Sequence, residues 1–204
     1  MNVGVLIFHE VSEFEVAGVM GVFGAARAFQ PVPKVLEDAV PEGAEPPPNP
    51  LEVFTLSKTR ASIRGAGGLV MTPTYAFAGA PEPDILVVPG GMGAEKISKD
   101  LQTKEYLRAQ AARVRFLVSI SGGALVLGEA NLLTDLDVTT TPAQLETIWK
   151  YNPGNVLETR ASKNPNGRWF AASGLAGIEL ALELVALEFD AEIAIKTSKS
   201  LGLT

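Results

Sequence analysis

The sequence predicts an α/β fold with a mainly parallel sheet, and three observations carry that prediction. Short apolar runs rich in β-branched residues occupy positions 3–8, 84–88 and 115–120, in the manner of strands buried on both faces. Stretches with helical periodicity separate them, at 16–29, 101–114 and 174–189. Each apolar run stops at a small cluster of polar or glycine residues. In an open sheet of this kind, ligands sit at the carboxyl ends of the strands.

The elements follow in order. Residues 3–8 read as the first buried strand. Residues 16–29 read as a helix that is apolar nearly all round and carries Gly18, Gly21 and Gly24. Each glycine costs a helix about 1 kcal/mol against alanine, so a close approach to another element or to a second subunit is expected. Residues 31–50 hold seven prolines among scattered acids and read as a surface loop. Residues 51–56 alternate like a strand. Residues 63–72 contain Gly65, Gly67 and Gly68 and suggest an irregular or hairpin-like excursion. The strand at 84–88 ends in "PGGMG". The helix at 101–114 has basic residues near its end, which suits the helix dipole. A strand at 115–120 follows. Strands at 156–160 and 168–172 flank the turn signal "NPNG", and Ser173 is placed to cap the helix 174–189.

Composition narrows the function. The chain has 204 residues, enough for one domain with a full core, 1–204. Its net charge is −6 with no basic cluster, which argues against nucleic acid or an anionic membrane as a direct partner. Cysteine is absent, which removes disulfides, thiolate metal sites and a cysteine nucleophile. No His/Asp/Glu cluster has metal-ligand spacing, and no phosphate-loop motif follows "PGGMGAEK", so neither metal nor cofactor is expected. The most apolar helix is interrupted by Glu179 and Glu183, and the start lacks a signal-peptide pattern. A cytoplasmic protein without a membrane span is expected.

Three clusters fall at the carboxyl ends of the strands: His9 with Glu10, Gly90 with Gly91, and Ser121. Glu15 opens the first helix beside the first of them. Ser119-Ile120-Ser121-Gly122-Gly123 has the small-x-nucleophile-x-small form of a nucleophile elbow. The Gly122 N–H, with a second donor from Gly91, would face a substrate oxygen. The same residues also suit an ordinary tight strand-to-helix turn.

The segments "GVLIFHEVSEFEVAGVMGVF", "DILVVPGGMG", "FLVSISGGALVLGEANLL", "DVTTTPAQL" and "FAASGLAGIELALELVALEF" resemble the ThiJ/PfpI family, in the class I glutamine amidotransferase-like superfamily, in that family's order and spacing. The last segment is similar to the isocyanide hydratase-like branch and to AraC-type regulators that carry this domain. The resemblance implies a flavodoxin-like, doubly wound sandwich with helices on both faces, and a homodimer. It implies a cysteine on the elbow, an acid that hydrogen-bonds it, oxyanion donors from "PGG" and from the residue after the cysteine, and in many members a histidine. Ser121 stands where the cysteine is expected and Thr141 where the histidine would be. Val19 and Gly21 replace a proline and a glutamate of the pattern. Glu15 keeps the acid position, and Gly90, Gly91 and Gly122 keep the oxyanion side.

A pocket for a small molecule is therefore expected between Glu15, Gly91, Ser121 and Thr141. A serine hydroxyl, unlike a thiol, needs an adjacent base. Two readings stay open: a binding or regulatory protein whose chemistry is lost, which the absent cysteine and histidine favour, and an enzyme that hydrates or hydrolyses a small carbon–nitrogen substrate through Ser121 and Glu15. Regulator relatives continue into a helix-turn-helix domain, whereas this sequence stops at Thr204, so direct DNA binding is not expected.

Overall fold

The structure, a computed structural model, describes residues 1–29 and 51–203. The proline-rich segment 31–50 lies outside the described residues. A seven-stranded sheet forms the centre, built from β1 (Asn2–Leu6), β2 (Glu52–Ser57), β5 (Tyr75–Ala76), β6 (Ile85–Val88), β7 (Phe116–Ile120), β10 (Ala161–Lys163) and β11 (Arg168–Ala171). Their order is β10-β11-β7-β6-β1-β2-β5, and only the β10–β11 pair is antiparallel. A short antiparallel pair, β3 (Ile63–Arg64) and β4 (Val70–Met71), forms the glycine-rich excursion. A second pair, β8 (Asp137–Val138) and β9 (Asn155–Val156), is parallel.

Helices form the outer layers. The helix α1 (Glu13–Ala26) packs with α6 (Gly174–Glu188) and α7 (Ala191–Ser200) as one layer. The other layer is α2 (Ala94–Ser98), α3 (Leu101–Ala111) and α4 (Gly123–Glu129), and a short α5 (Leu145–Ile148) adjoins α4. The central strands are apolar throughout because both of their faces are covered: Val3, Val5, Ile85, Leu86 and Ile120 are fully buried. This is the doubly wound, flavodoxin-like arrangement. The chain runs from β1 outward to β2 and later returns to β6 on the other side of β1. The carboxyl ends of β1 and β6 therefore flank the switch point, where such sheets bind ligands. Among the described residues no helix is long and apolar enough to cross a membrane.

Two sequence expectations need correction, and one element is new. The first helix begins at Glu13, earlier than its apolar periodicity suggested, because Ser12 caps it and its first turn is acidic. The strand placed at 156–160 is split. Residues 155–156 pair with β8, and the hairpin partner of β11 is β10. The "NPNG" turn closes directly onto β10 and β11, with Gly167 N–H donating to the Asn164 carbonyl at 3.1 Å. The new element is α7, which the apolar pattern of 191–200 does not announce. That helix is capped by Asp190 and buries only Ile193, Thr197 and Ser198.

Candidate functional site

Ser121 follows β7 directly and takes φ of 53°. This is the left-handed region, which costs a residue with a Cβ about 1–2 kcal/mol. Neighbours hold it there from both sides. Its N–H donates to the Ala171 carbonyl at 2.8 Å, and its own carbonyl accepts from the Thr140 hydroxyl at 2.8 Å. The helix α4 starts at once, with Gly122 as its cap residue. An added Cβ at Gly123 would fall on the Val88 carbonyl oxygen, so the close approach of α4 to β6 requires glycine there. The motif is thus an elbow in geometry as well as in spelling.

The "PGG" turn presses against this elbow. A Cβ at Gly90 would fall on the Gly122 nitrogen and 3.0 Å from Ser121 Oγ. Gly91 has φ of 123°, and a Cβ there would collide with the Glu10 carbonyl and the Ser12 nitrogen. The N–H groups of Gly91 and Gly122 make no hydrogen bond among the described residues, and both glycines line the cavity at the elbow. They are the donors available to an anionic or polarised ligand atom.

Glu15 reaches this cluster through a diverted cap. Ser12-Glu13-Phe14-Glu15 has the S-x-x-E spelling of a capping box, in which the glutamate turns back to the N–H of the cap residue. Here the Ser12 side chain accepts from Glu15 N–H at 3.4 Å, but the Ser12 N–H is already given to the Gly90 carbonyl at 3.0 Å. The Glu15 carboxylate instead accepts from Gly90 N–H at 2.6 Å. The start of α1 and the "PGG" turn are therefore laced together by two reciprocal bonds. Glu15 is 6% exposed. Burial raises its pKa, and the opposing hydrogen bonds from Gly90 N–H and the Ser121 hydroxyl do not cancel that effect.

Two residues absent from the sequence reading complete the site. The Thr140 hydroxyl lies 2.8 Å from the Ser121 carbonyl and 3.0 Å from the Gln144 side-chain amide. The structure has Gln144 Oε1 at this hydroxyl, but one hydroxyl proton serves only one acceptor and the Ser121 carbonyl can only accept. An amide turned with its NH₂ toward Thr140 satisfies both contacts and leaves its carbonyl oxygen as an acceptor. Gln144 lines the cavity beside Gly122.

The cavity has a volume of about 440 Å³, and its polar lining is Ser12, Glu13, Glu15, Ser121 and Gln144 with the glycine backbone. Phe14 and Met92, both exposed, form an apolar rim. Thus Glu15, Gly91, Ser121 and Gly122 come together as the sequence implied, and Gly90 joins them through Glu15. Thr141 does not line the cavity; its neighbour Thr140 is the one that touches the elbow. His9, the single histidine, also does not line it. Its Nδ1 accepts from Arg64 N–H at 3.3 Å on the far side of the β1 end. Among the described residues no group of three His, Cys, Asp or Glu side chains could hold a metal ion.

Comparison with known proteins gives the family and the fold. The model of the DJ-1/PfpI family matches residues 1–187, and the chain belongs to that family. It is 29% identical over 189 residues to an isonitrile hydratase of Pseudomonas putida, a match that covers 90% of this chain and 70% of that protein. It is 27% identical over 145 residues to the HTH-type transcriptional regulator GbdR of Pseudomonas aeruginosa, covering 71% of this chain but only 39% of the regulator. Its fold matches the crystal structure of a ThiJ/PfpI family protein from Pseudomonas syringae with a TM-score of 0.82 at 20% identity, over 98% of this chain and 74% of that one.

Proposed function

We propose that this protein binds a small molecule with a polarised carbon–nitrogen bond at the elbow, and that Ser121 is not an efficient nucleophile there. One observation carries the reading. The one imidazole of the chain is tied elsewhere, on Arg64 N–H, and the carboxyl beside the Ser121 hydroxyl, Glu15, is already engaged by Gly90 N–H. A serine attacks only when a base takes its proton, and a carboxylate held by a backbone N–H, even with its pKa raised by burial, replaces neither the missing imidazole nor the thiol. Glu15 and Ser121 then serve as hydrogen-bonding groups for a ligand, with Gly91 and Gly122 N–H facing its electron-rich end and the Gln144 carbonyl facing a donor. The likeness to a hydratase of isonitriles supports a pocket for a small molecule, and the likeness to a transcriptional regulator supports use of the same scaffold outside catalysis.

The same raised pKa favours a second reading. A protonated Glu15 could give its proton to the carbon of an isonitrile while water adds at that carbon. The proton released by the added water returns to Glu15, and the N-substituted formimidic acid so formed tautomerises, its hydroxyl proton moving to nitrogen, to the N-formamide. In that reading Ser121 positions the water.

The exposed apolar side chains Phe14, Met92 and Leu175 support a homodimer, with a second copy packed near the cavity mouth. Titration of the native protein with a small alkyl isonitrile, followed by amide NMR shifts and formamide formation, tests the proposal. Saturable shifts at Glu15, Gly91 and Gly122 without formamide are the expected result. Rapid formamide production would select the enzymatic reading, and the absence of any shift would remove both.

A further inference from the structure

A second cavity opens on the same edge of the sheet, and we propose that it binds a small organic monoanion with an apolar body, in class an aryl- or branched-alkyl carboxylate. Its volume is about 440 Å³, equal to that of the elbow cavity and within the range of small-ligand sites. The two cavities share no lining residue. This one lies beyond the carboxyl ends of β1 and β2, against α2 and the cap of α3.

Its floor is apolar. Phe8 and Ile63 are nearly fully buried, and half-buried Ile97 faces them from α2. Its rim is cationic. Lys58, Lys96 and Lys99 line it with a single carboxylate, Asp100. That carboxylate is already committed. It accepts from Lys58 Nζ at 2.8 Å and caps α3 through Thr103 N–H at 2.9 Å. Lys99 pairs with Glu95 at 2.8 Å, but both side chains are exposed and such a pair contributes little. Lys96 has no ion pair among the described residues. His9 also lines this cavity, and because its Nδ1 accepts from Arg64 N–H, Nε2 is the nitrogen left to donate.

The charge pattern selects the ligand. The chain as a whole carries −6, so three lysines around one apolar hollow run against its overall sign. A neutral apolar ligand would make no use of the Lys96 charge. A wholly polar anion such as inorganic phosphate would leave Phe8, Ile63 and Ile97 uncovered. An amphipathic monoanion answers both, with its body on the floor and its carboxylate at Lys96.

The test is amide NMR titration with 3-phenylpropionate, its neutral amide, and inorganic phosphate, on the native protein and on Lys96→Gln and Lys96→Arg. Lys96 is an exposed helix residue, so neither variant threatens folding. The expected result is saturable shifts at Phe8, His9, Ser57 to Ile63 and Ile97, with weaker binding of the amide and of phosphate. Lys96→Gln should weaken 3-phenylpropionate about fivefold, the upper scale of one solvent-screened charge contact, and Lys96→Arg should restore it. Equal affinity for acid and amide, shifts confined to Glu15, Gly91 and Ser121, no saturation, or an unaffected Lys96→Gln would each overturn the proposal.

Discussion

At Glu15, two demands meet on one carboxyl group: it holds α1 to the "PGG" turn, and it faces the elbow hydroxyl. Its pKa is raised above the usual value of 4.5, chiefly by burial. The sign of the linkage follows. Between that value and the folded pKa the native state holds the proton more tightly than the unfolded chain does. The contribution of Glu15 to stability therefore falls as pH rises through this window, and the penalty is fully present above it. Glu15→Gln keeps an acceptor for Gly90 N–H and removes the ionisation. The difference in urea midpoint between variant and native protein should thus grow in the variant's favour from about pH 4.5 upward, and then level off. A difference that stays constant with pH would show that Glu15 does not titrate across the window. Ser121 and the glycines were legible in the sequence because they sit at strand ends with distinctive neighbours, and Glu15 because it opens the helix that follows the first strand. Gln144 and Thr140 were not. They reach the elbow through a turn of irregular backbone, and nothing in "TTTPAQ" says which threonine faces inward.

At the scale of elements, glycines show what each turn or helix must accommodate. In α1 the Gly18, Gly21 and Gly24 series does not form one packing stripe. An added Cβ at Gly18 would press on Ile178 of α6, whereas Gly21 and Gly24 have nothing within 4 Å. Residues three apart step about 60° around a helix, so the series slides off the buried face. Gly24→Ala is expected to raise stability by about 1 kcal/mol in chemical denaturation. If the second copy docks on this edge of the helix, the same variant weakens the dimer in sedimentation. Gly91→Ala is the opposite case. It meets both a positive φ and a backbone collision, and should cost about 2 kcal/mol or more. The excursion between β3 and β4 also has a cause that the sequence hid. The Glu13 carboxylate accepts from Gly67 N–H at 2.8 Å and from Leu69 N–H at 3.1 Å, and its pKa is lowered chiefly by the Gly67 bond. Glu13→Ala should speed hydrogen exchange at the Gly67 and Leu69 amides and leave β1 and β6 protected; unchanged exchange would mean that the clamp is idle. Sequence reading saw the glycines as irregularity because the residue that organises them lies more than fifty positions away.

Over the whole molecule, the parallel core was legible because burial on both faces writes itself into the strands as unbroken apolar runs. The edges were harder to read. Residues 161–163 are short and polar at the rim of the sheet, and α7 buries too few side chains to show a clear periodicity. The functional edge follows from topology: the carboxyl ends of β1, β6 and β7 converge, so Glu15, Gly91 and Ser121 share one cavity although more than a hundred residues separate the first from the last. The central claim is that this scaffold keeps an elbow and its donors while its nucleophile stays unactivated. A thiol differs from a hydroxyl here in one respect, since its pKa near 8.5 lies within reach of the elbow's dipoles. The decisive measurement is the rate of formamide formation from a small aryl isonitrile by the native protein and by Ser121→Cys, under identical conditions. The account predicts a native rate at the uncatalysed level and turnover in Ser121→Cys at least about a hundredfold higher, the scale at which an activated nucleophile contributes. A native protein that turns over as fast as its cysteine variant would contradict it.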